Sequence, residues 1–311
     1  MSKKLILMDH DGGIDDILAT MLLMTMTEVE PIGIVVTPAD CYPKAAVSVT
    51  RKLLDLMGKS DIPVAESTVR GINPFPPDFR RDSVIINNFP ILNELDTIKT
   101  PLVSDSGQKF IIERLNAASE SVTLMVTGPL TTIAEALTIE PKIINKIQEI
   151  VWMGGALTVP GNVEKVFALE HDGSAEWNVF WDAISAKQIW DTEIPITLCP
   201  LDLTNTVPVT PEFIRKLTKQ RRYTLSDLAG MCYALAIPQN YYFWDILATA
   251  YLARPELYRV EAQETDIIST GISQGRTILK PGGRKINLMT EVDQEKFYEY
   301  LLQQFAITPN S

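Results

Sequence analysis

Residues 4–24 read KLILMDHDGGIDDILATMLLM: an apolar run, a tight acidic turn, then apolar residues at helical spacing. This order constrains the fold more than any other feature of the chain. Residues 4–9 show no polar alternation, the pattern of a strand buried on both faces. From Ile14 the apolar positions continue at Ile17, Leu18, Met21 and Leu22, one face of a helix. A doubly buried strand running straight into a helix is the first half of a βαβ unit.

The alternation recurs. Residues 32–37 (IGIVVT) read as a second buried strand, 43–58 as an amphipathic helix and IPVAE as a short third strand. It resumes with SVTLMVTG (121–128), helices over 129–147, EIVWMGG (149–155), a Gly-rich loop, a helix over 183–191 and the strand IPITLC. Residues 211–254 read mainly as helices, and 293–305 as a closing helix. The fold class expected is α/β: a single domain over 1–311 with a mostly parallel, Rossmann-like central sheet flanked by helices. A small edge hairpin is expected between 257 and 292, where short strand-like runs meet Gly turns. The Pro- and polar-rich stretch 71–108 reads as too irregular for a core element, and so as a functional or mobile loop.

Composition excludes several functions. The formal charge of −11 argues against a nucleic-acid surface, which needs clustered Lys and Arg. FRRD (79–82) and KQRRY (219–223) are short and isolated. Cys41, Cys199 and Cys232 form no CxxC pair, which disfavours a zinc site or a disulfide framework. No run approaches the roughly 20 apolar residues of a membrane span. The apolar run after Lys3 and Lys4 ends in acids, so no signal-peptide core forms. The expectation is a cytoplasmic protein with no nucleic-acid or membrane partner. Only two histidines, His10 and His171, are available for acid–base work.

The acidic turn holds Asp9, Asp11, Asp15 and Asp16 within eight positions. In an open α/β sheet, ligands bind beyond the carboxyl ends of the strands, where this turn lies. Acids in a helix's first turn are favoured by the dipole, which accounts for one or two of the four. It does not account for Asp11, held between acids and flanked by glycines. An EF-hand fails, because its required Gly and Glu fall on Ile14 and Thr20. A phosphatase of the haloacid-dehalogenase fold opens with a similar DxDG, but this chain has no Gly-Asp dipeptide for its later motif. That weakens the phosphatase reading without removing it, and the third reading is a calcium site of hard oxygens completed by distant residues.

DHDGGIDD also fits the Asp-x-Asp-x-Gly-x-Asp-Asp signature of the nucleoside hydrolases, at Asp9, Asp11, Gly13, Asp15 and Asp16. The likeness continues in order through VTGPLTTIAEAL (126–137), WMGGAL (152–157), AEWNVFWD (175–182) and YYFWDILATAYL (241–252). The chain thus resembles the nucleoside hydrolase family, the inosine-uridine-preferring superfamily. The resemblance implies a calcium ion held by Asp11, Asp16, Asp245 and the Thr127 carbonyl. It implies hydrolysis of a ribonucleoside to free base and ribose, with Asp11 as general base on a calcium-bound water. Asp15, Asn162, Glu176 and Asn178 match ribose-binding positions, and strand alternation is expected to put Glu176 and Asn178 on one face.

The leaving group sets the subclass. Many pyrimidine-accepting members carry a histidine immediately before the last calcium aspartate, and here that residue is Trp244. In this respect the chain looks most like the purine-preferring (inosine-adenosine-guanosine) branch, where the base stacks between aromatic side chains. Phe79 matches the other stacking position and Asp40 a base-contacting acid. Two departures stand out: Gly13 replaces an asparagine found in some purine-preferring members, and the segment before YYFWD is short and lacks arginine, so a lid there would differ. Tyr241 and Tyr242 are either pocket-lining or packing residues, and His10 reads as structural. Asp9 is left only to hold the loop. A broad-specificity or pyrimidine-accepting hydrolase, and a low-turnover nucleoside or ribose binding protein, stay open. The family further implies a homodimer or homotetramer and a place in purine salvage.

Overall fold

The computed structural model describes residues 3–163, 171–236 and 240–308. Six parallel strands form most of one sheet: β1 (Lys4–His10), β2 (Val29–Val36), β3 (Val64–Glu66), β4 (Val122–Val126), β5 (Ile147–Met153) and β6 (Ile196–Cys199). β7 (Tyr258–Ile267), β8 (Thr277–Leu279) and β9 (Arg284–Val292) complete it, in the order β3-β2-β1-β4-β5-β6-β9-β7-β8. The chain winds outward from β1 in one direction, then returns to build the other side from β4. That reversal makes the gap between β1 and β4 a topological switch point, where open α/β sheets bind ligands.

Strand residues divide between the two faces as a buried parallel sheet requires. Ile6, Met8, Ile34, Val36 and Met125 pack into one apolar layer, while Leu7, Val35, Leu124 and Val126 pack into the other. The helix Ile14–Thr25 is apolar almost all round, because it lies between the sheet and further helices, including Asp245–Ala250 and Thr224–Ala236. Among the described residues, no helix is long and apolar enough to cross a membrane.

Three local expectations need correction. The C-terminal region is more than an edge hairpin. β7 and β8 do pair as one, but β9 is parallel to β6 and antiparallel to β7, so it carries the sheet onward. The stretch 71–108 is not devoid of core structure. It holds the short helices Pro77–Arg80 and Asp82–Asn87, and Ile86 and Leu92 are buried. The helix Gly107–Ala117, hidden behind that Pro-rich run, buries Phe110, Ile111 and Leu115. Third, Glu176 and Asn178 do not sit on a strand. Glu176 caps the helix Trp177–Trp181, accepting hydrogen bonds from the Asn178 and Val179 amides.

The turn after β1 depends on Gly12, whose φ is +85°. A Cβ there would lie 2.6 Å from Ala46 Cβ and 2.7 Å from Cys41 Cβ. His10, just before the turn, is wholly buried, and Thr50 Oγ1 lies 3.0 Å from its Nε2. Thr50 spends its one hydrogen on the Ala46 carbonyl, so Nε2 is the donor to Thr50. Burial pushes the imidazole pKa down to about 3, as befits a neutral structural residue.

Gly12→Ala is expected to cost about 1–2 kcal/mol for left-handed backbone and about 1–3 kcal/mol more for the overlap. A urea denaturation midpoint that falls accordingly, with an unchanged slope, checks this; an unchanged midpoint contradicts it.

Candidate active site

The acidic turn opens into a cavity of about 260 Å³ at the switch point. Every residue expected for the site lines it. Asp11 comes from the turn after β1, Asp15 and Asp16 from the first turn of Ile14–Thr25, and Asp40 from the loop after β2. Thr127 follows β4 directly, and Asp245 opens the helix Asp245–Ala250 with Trp244 just before it. Phe79, Asn162, Glu176 and Asn178 complete the set.

Main-chain and hydroxyl donors hold the acids in place. Asp16 accepts from the Asp11 amide at 3.3 Å, the Gly13 amide at 2.8 Å and the Thr127 hydroxyl at 2.6 Å. Asp11 Oδ2 accepts from the Asp40 amide at 3.1 Å. Asp15 accepts from the Tyr241 hydroxyl at 3.0 Å and, at 3.5 Å, from the Asp245 amide. Gly13 permits the crowding: a Cβ there would lie 2.7 Å from Asp40 Oδ2 and 3.2 Å from Asp16 Oδ2.

Burial, and then the neighbouring acids, raise the proton affinity of these groups. Asp11, Asp40 and Asp245 stand well above the usual carboxylate range, and Asp16 is raised to about 7. Burial likewise raises Glu176 to about 7, although backbone amides donate to it. Among the described residues, no Lys or Arg lines the cavity. The donor set therefore fits a hard cation, which favours carboxylate and carbonyl oxygens. Asp15, Asp16 and Asp245 each offer an oxygen within 4.8 Å of the others. Asp11 lines the same cavity outside that tightest group, which instead includes Asp15, expected only at the sugar.

The polar residues opposite are partly committed. Asn178 Nδ2 donates to the Thr127 carbonyl at 2.9 Å and the Met153 carbonyl at 3.1 Å, so its amide hydrogens brace the backbone around the cation position. Asn162 Oδ1 accepts from the Trp177 amide at 3.1 Å. Phe79 packs edge-on against Phe75 and Trp177, and Trp244 edge-on against Tyr241 with ring centres 4.6 Å apart. Tyr241 lines this cavity, while Tyr242 faces a neighbouring one of about 470 Å³. Phe75, Trp177, Asp82 and Asn240 also line the site and were not anticipated. Trp177 stood inside the quoted AEWNVFWD string. Phe75 and Asp82 flank Phe79 in sequence, the one signal that pointed to them. The segment before YYFWD includes 237–239, and the Gly-rich loop includes 164–170; both lie outside the described residues.

Comparison with known proteins identifies the family. The profile of the family described as inosine-uridine preferring nucleoside hydrolase matches residues 6–299. The chain belongs to this family of nucleoside hydrolases. A solved inosine-uridine preferring nucleoside hydrolase from Bacillus anthracis is 40% identical, with a TM-score of 0.94, covering 97% of this chain and 99% of that one. The pyrimidine-specific ribonucleoside hydrolase RihA of Shewanella woodyi is 28% identical, over 96% of each chain. A purine-preferring ribonucleoside hydrolase from Gardnerella vaginalis shares the fold, with a TM-score of 0.80 over 97% of this chain and 98% of that one, at 23% identity.

The raised carboxyls make the cation-free hydrolase sensitive to pH. Folded Asp9, Asp16 and Glu176 keep their protons up to about 8, 7 and 7, against ordinary values of 3.8, 3.8 and 4.5. Between those limits the folded state binds more protons than the unfolded one, so its stability falls as pH rises. His10 acts in the opposite sense only below 6.5, its ordinary value. In chelator, the melting temperature is expected to decline from pH 6.5 to 8.5. A divalent cation held by the cavity acids would compete with their protons, so the rise calcium gives is expected to be larger at pH 8.5 than at 6.5. Melting curves at both pH values, with and without calcium, check this; a flat chelated profile contradicts it.

Proposed function

We propose that this nucleoside hydrolase is calcium-dependent and prefers purine ribonucleosides. Asp11, Asp16, Asp245 and the Thr127 carbonyl would hold the ion, with Asp15 close to them. When bound, calcium supplies positive charge that grips ribose hydroxyls and acidifies water.

Asp11 takes the proton of the attacking water as general base. Asp15, Glu176, Asn162 and Asn178 orient the ribose, the term that turns encounter into reaction. Asp15 is itself oriented by Tyr241 and the Asp245 amide. As the glycosidic bond breaks, the sugar turns oxocarbenium-like, and the surrounding carboxylates stabilise its positive charge.

The observation that carries the purine reading is the cavity's lining of aromatic rings without a histidine. Phe79, Phe75 and Trp177 form one aromatic group, and Trp244 and Tyr241 another. His10 is committed to Thr50, and His171 to the Gln274 carbonyl and the Gly173 amide. A flat purine gains from stacking on both faces, and its protonation on departure is favoured by the ring quadrupoles. Asp40, whose Oδ1 has no partner, would accept from the base. A second reading is favoured by the relatives' names. The Shewanella woodyi relative is called pyrimidine-specific, and the Bacillus anthracis structure inosine-uridine preferring. A pyrimidine-accepting or broad-specificity hydrolase is therefore the alternative.

Initial rates with inosine, adenosine, guanosine, uridine and cytidine, with and without chelator, decide between them. The purines are expected to lead, with activity lost on calcium removal. Uridine turned over fastest would favour the second reading, and full activity in chelator would remove the cation. Tight nucleoside binding without product would instead mark a binding protein. Asp11→Ala is expected to lower kcat by about 10²–10⁴; a near-normal rate refutes Asp11 as the base. Trp244→Ala is expected to lower purine kcat/KM by about 10-fold, in line with loss of about 1–3 kcal/mol of base stacking. Inhibition by free ribose should stay unchanged. An equal loss of ribose affinity counts against that role.

A further inference from the structure

Asp9 has no place in the reaction above, yet it is 3% exposed and only two residues from Asp11. Its Oδ1 accepts from Thr37 Oγ1 at 2.7 Å. Thr37 Oγ1 lies 2.5 Å from Thr132 Oγ1, which lies 2.9 Å from Ser67 Oγ. The Val69 amide donates to Ser67 Oγ at 3.4 Å. All three hydroxyl residues are buried. Each hydroxyl has one hydrogen to give. Thr37 donates to Asp9, and with Thr132 donating to Thr37 the line ends on the Asp9 carboxyl oxygen; Ser67 Oγ lies 2.9 Å from Thr132 Oγ1 and 3.4 Å from Gln108 Oε1, two acceptors for its one hydrogen. A chain polarised in this way is stronger than its separate links.

The four side chains gather at or beyond the carboxyl ends of four adjacent strands. Ser67 follows β3, Thr37 follows β2, Asp9 lies in β1, and Thr132 begins the helix after β4. The main chain makes a parallel set of ties: the Ser67 amide to the Val36 carbonyl at 2.9 Å, Thr37 to His10 at 2.8 Å, and Thr127 to Asp9 at 2.9 Å. The side-chain series thus fastens the same strand ends a second time. Those ends carry Asp11, Asp40 and Thr127. None of Asp9, Thr37, Ser67 or Thr132 lines the cavity, so the series acts from behind it.

Resting on the cation reading above, we propose that Asp9 is a positioning residue. Through Thr37, Thr132 and Ser67 it clamps the carboxyl ends of β1 to β4 and sets the spacing of Asp11 and the Thr127 carbonyl, on which cation affinity depends. Hard cations require their oxygens within a narrow range of distances, so supporting groups govern affinity.

The test is calcium titration by calorimetry on Thr37→Val, Thr132→Val, Thr37→Ser and Asp9→Asn, with melting curves in chelator alongside. Valine keeps the shape of threonine and deletes the hydroxyl. The two valine variants are expected to weaken calcium binding by about 10–100-fold, and Thr37→Ser and Asp9→Asn, which keep the hydroxyl and the acceptor oxygen, to bind close to the wild type. Should Asp9→Asn fail to fold, the valine variants decide alone. Valine variants that melt lower but bind calcium like the wild type overturn the proposal, because the series would then serve stability only. A wild type that binds no divalent cation removes the cation reading and this proposal together. A wild type that binds it, with variants unaffected, removes this proposal alone.

Discussion

Repulsion among Asp11, Asp15, Asp16, Asp40 and Asp245 shapes everything around the switch point. Two like charges about 4 Å apart repel by roughly 4 kcal/mol at the effective dielectric of a protein surface. A whole domain is stable by only about 5–15 kcal/mol. Several such pairs, ionised and uncompensated, would exceed that margin. The fold offers partial relief through the amides of Asp11, Gly13, Asp40 and Asp245 and the hydroxyls of Thr127 and Tyr241. The amino end of Ile14–Thr25 adds the favourable end of a helix dipole beside Asp15 and Asp16. What remains is met by protons or, on the reading proposed above, by a cation.

The same cavity has a second chemical character. Its acidic end is braced by polar contacts, whereas Phe75, Phe79, Trp177, Tyr241 and Trp244 bring aromatic rings to its lining. A nucleoside has the matching division between a hydroxyl-rich sugar and a flat base. Tyr241 joins the halves, since its ring packs on Trp244 while its hydroxyl holds Asp15. On the reading proposed above, a change in how the base stacks would reach the carboxylate assigned to the sugar through this one side chain.

Much of this was legible in the sequence, for reasons that can be named. β1, β2 and β4 are doubly buried, and an unbroken apolar run is a strong signal. The helix Gly107–Ala117 was missed because it follows a Pro-rich stretch and begins with glycine, a poor helix former. Glu176 was placed on a strand because EWN reads as alternating polar and apolar. It caps the helix through the Asn178 and Val179 amides and also accepts from the Gly155 amide, 21 residues away, a contact that no local pattern encodes. The expected residues that line the cavity were named through a family resemblance that spans the chain. Their commitments were not: nothing in the string WNVFW shows that Asn178 spends its amide hydrogens on Thr127 and Met153.

Asp9 illustrates the limit from the other side. In the sequence it is one more acid in a cluster, indistinguishable from Asp11. In the fold, strand alternation turns it away from the cavity and onto the hydroxyls of Thr37, Thr132 and Ser67. Those partners come from residues 28, 95 and 65 positions apart in the chain, brought together only because β3, β2, β1 and β4 lie side by side. A carboxylate buried there raises no cation-binding capacity itself. Its value is that it gives the line of hydroxyls a fixed acceptor oxygen on β1, at the centre of the sheet. The acids that face the cavity and the one that faces away thus answer the same need: a charged loop, crowded at a strand end, has to be held where a cation can meet it.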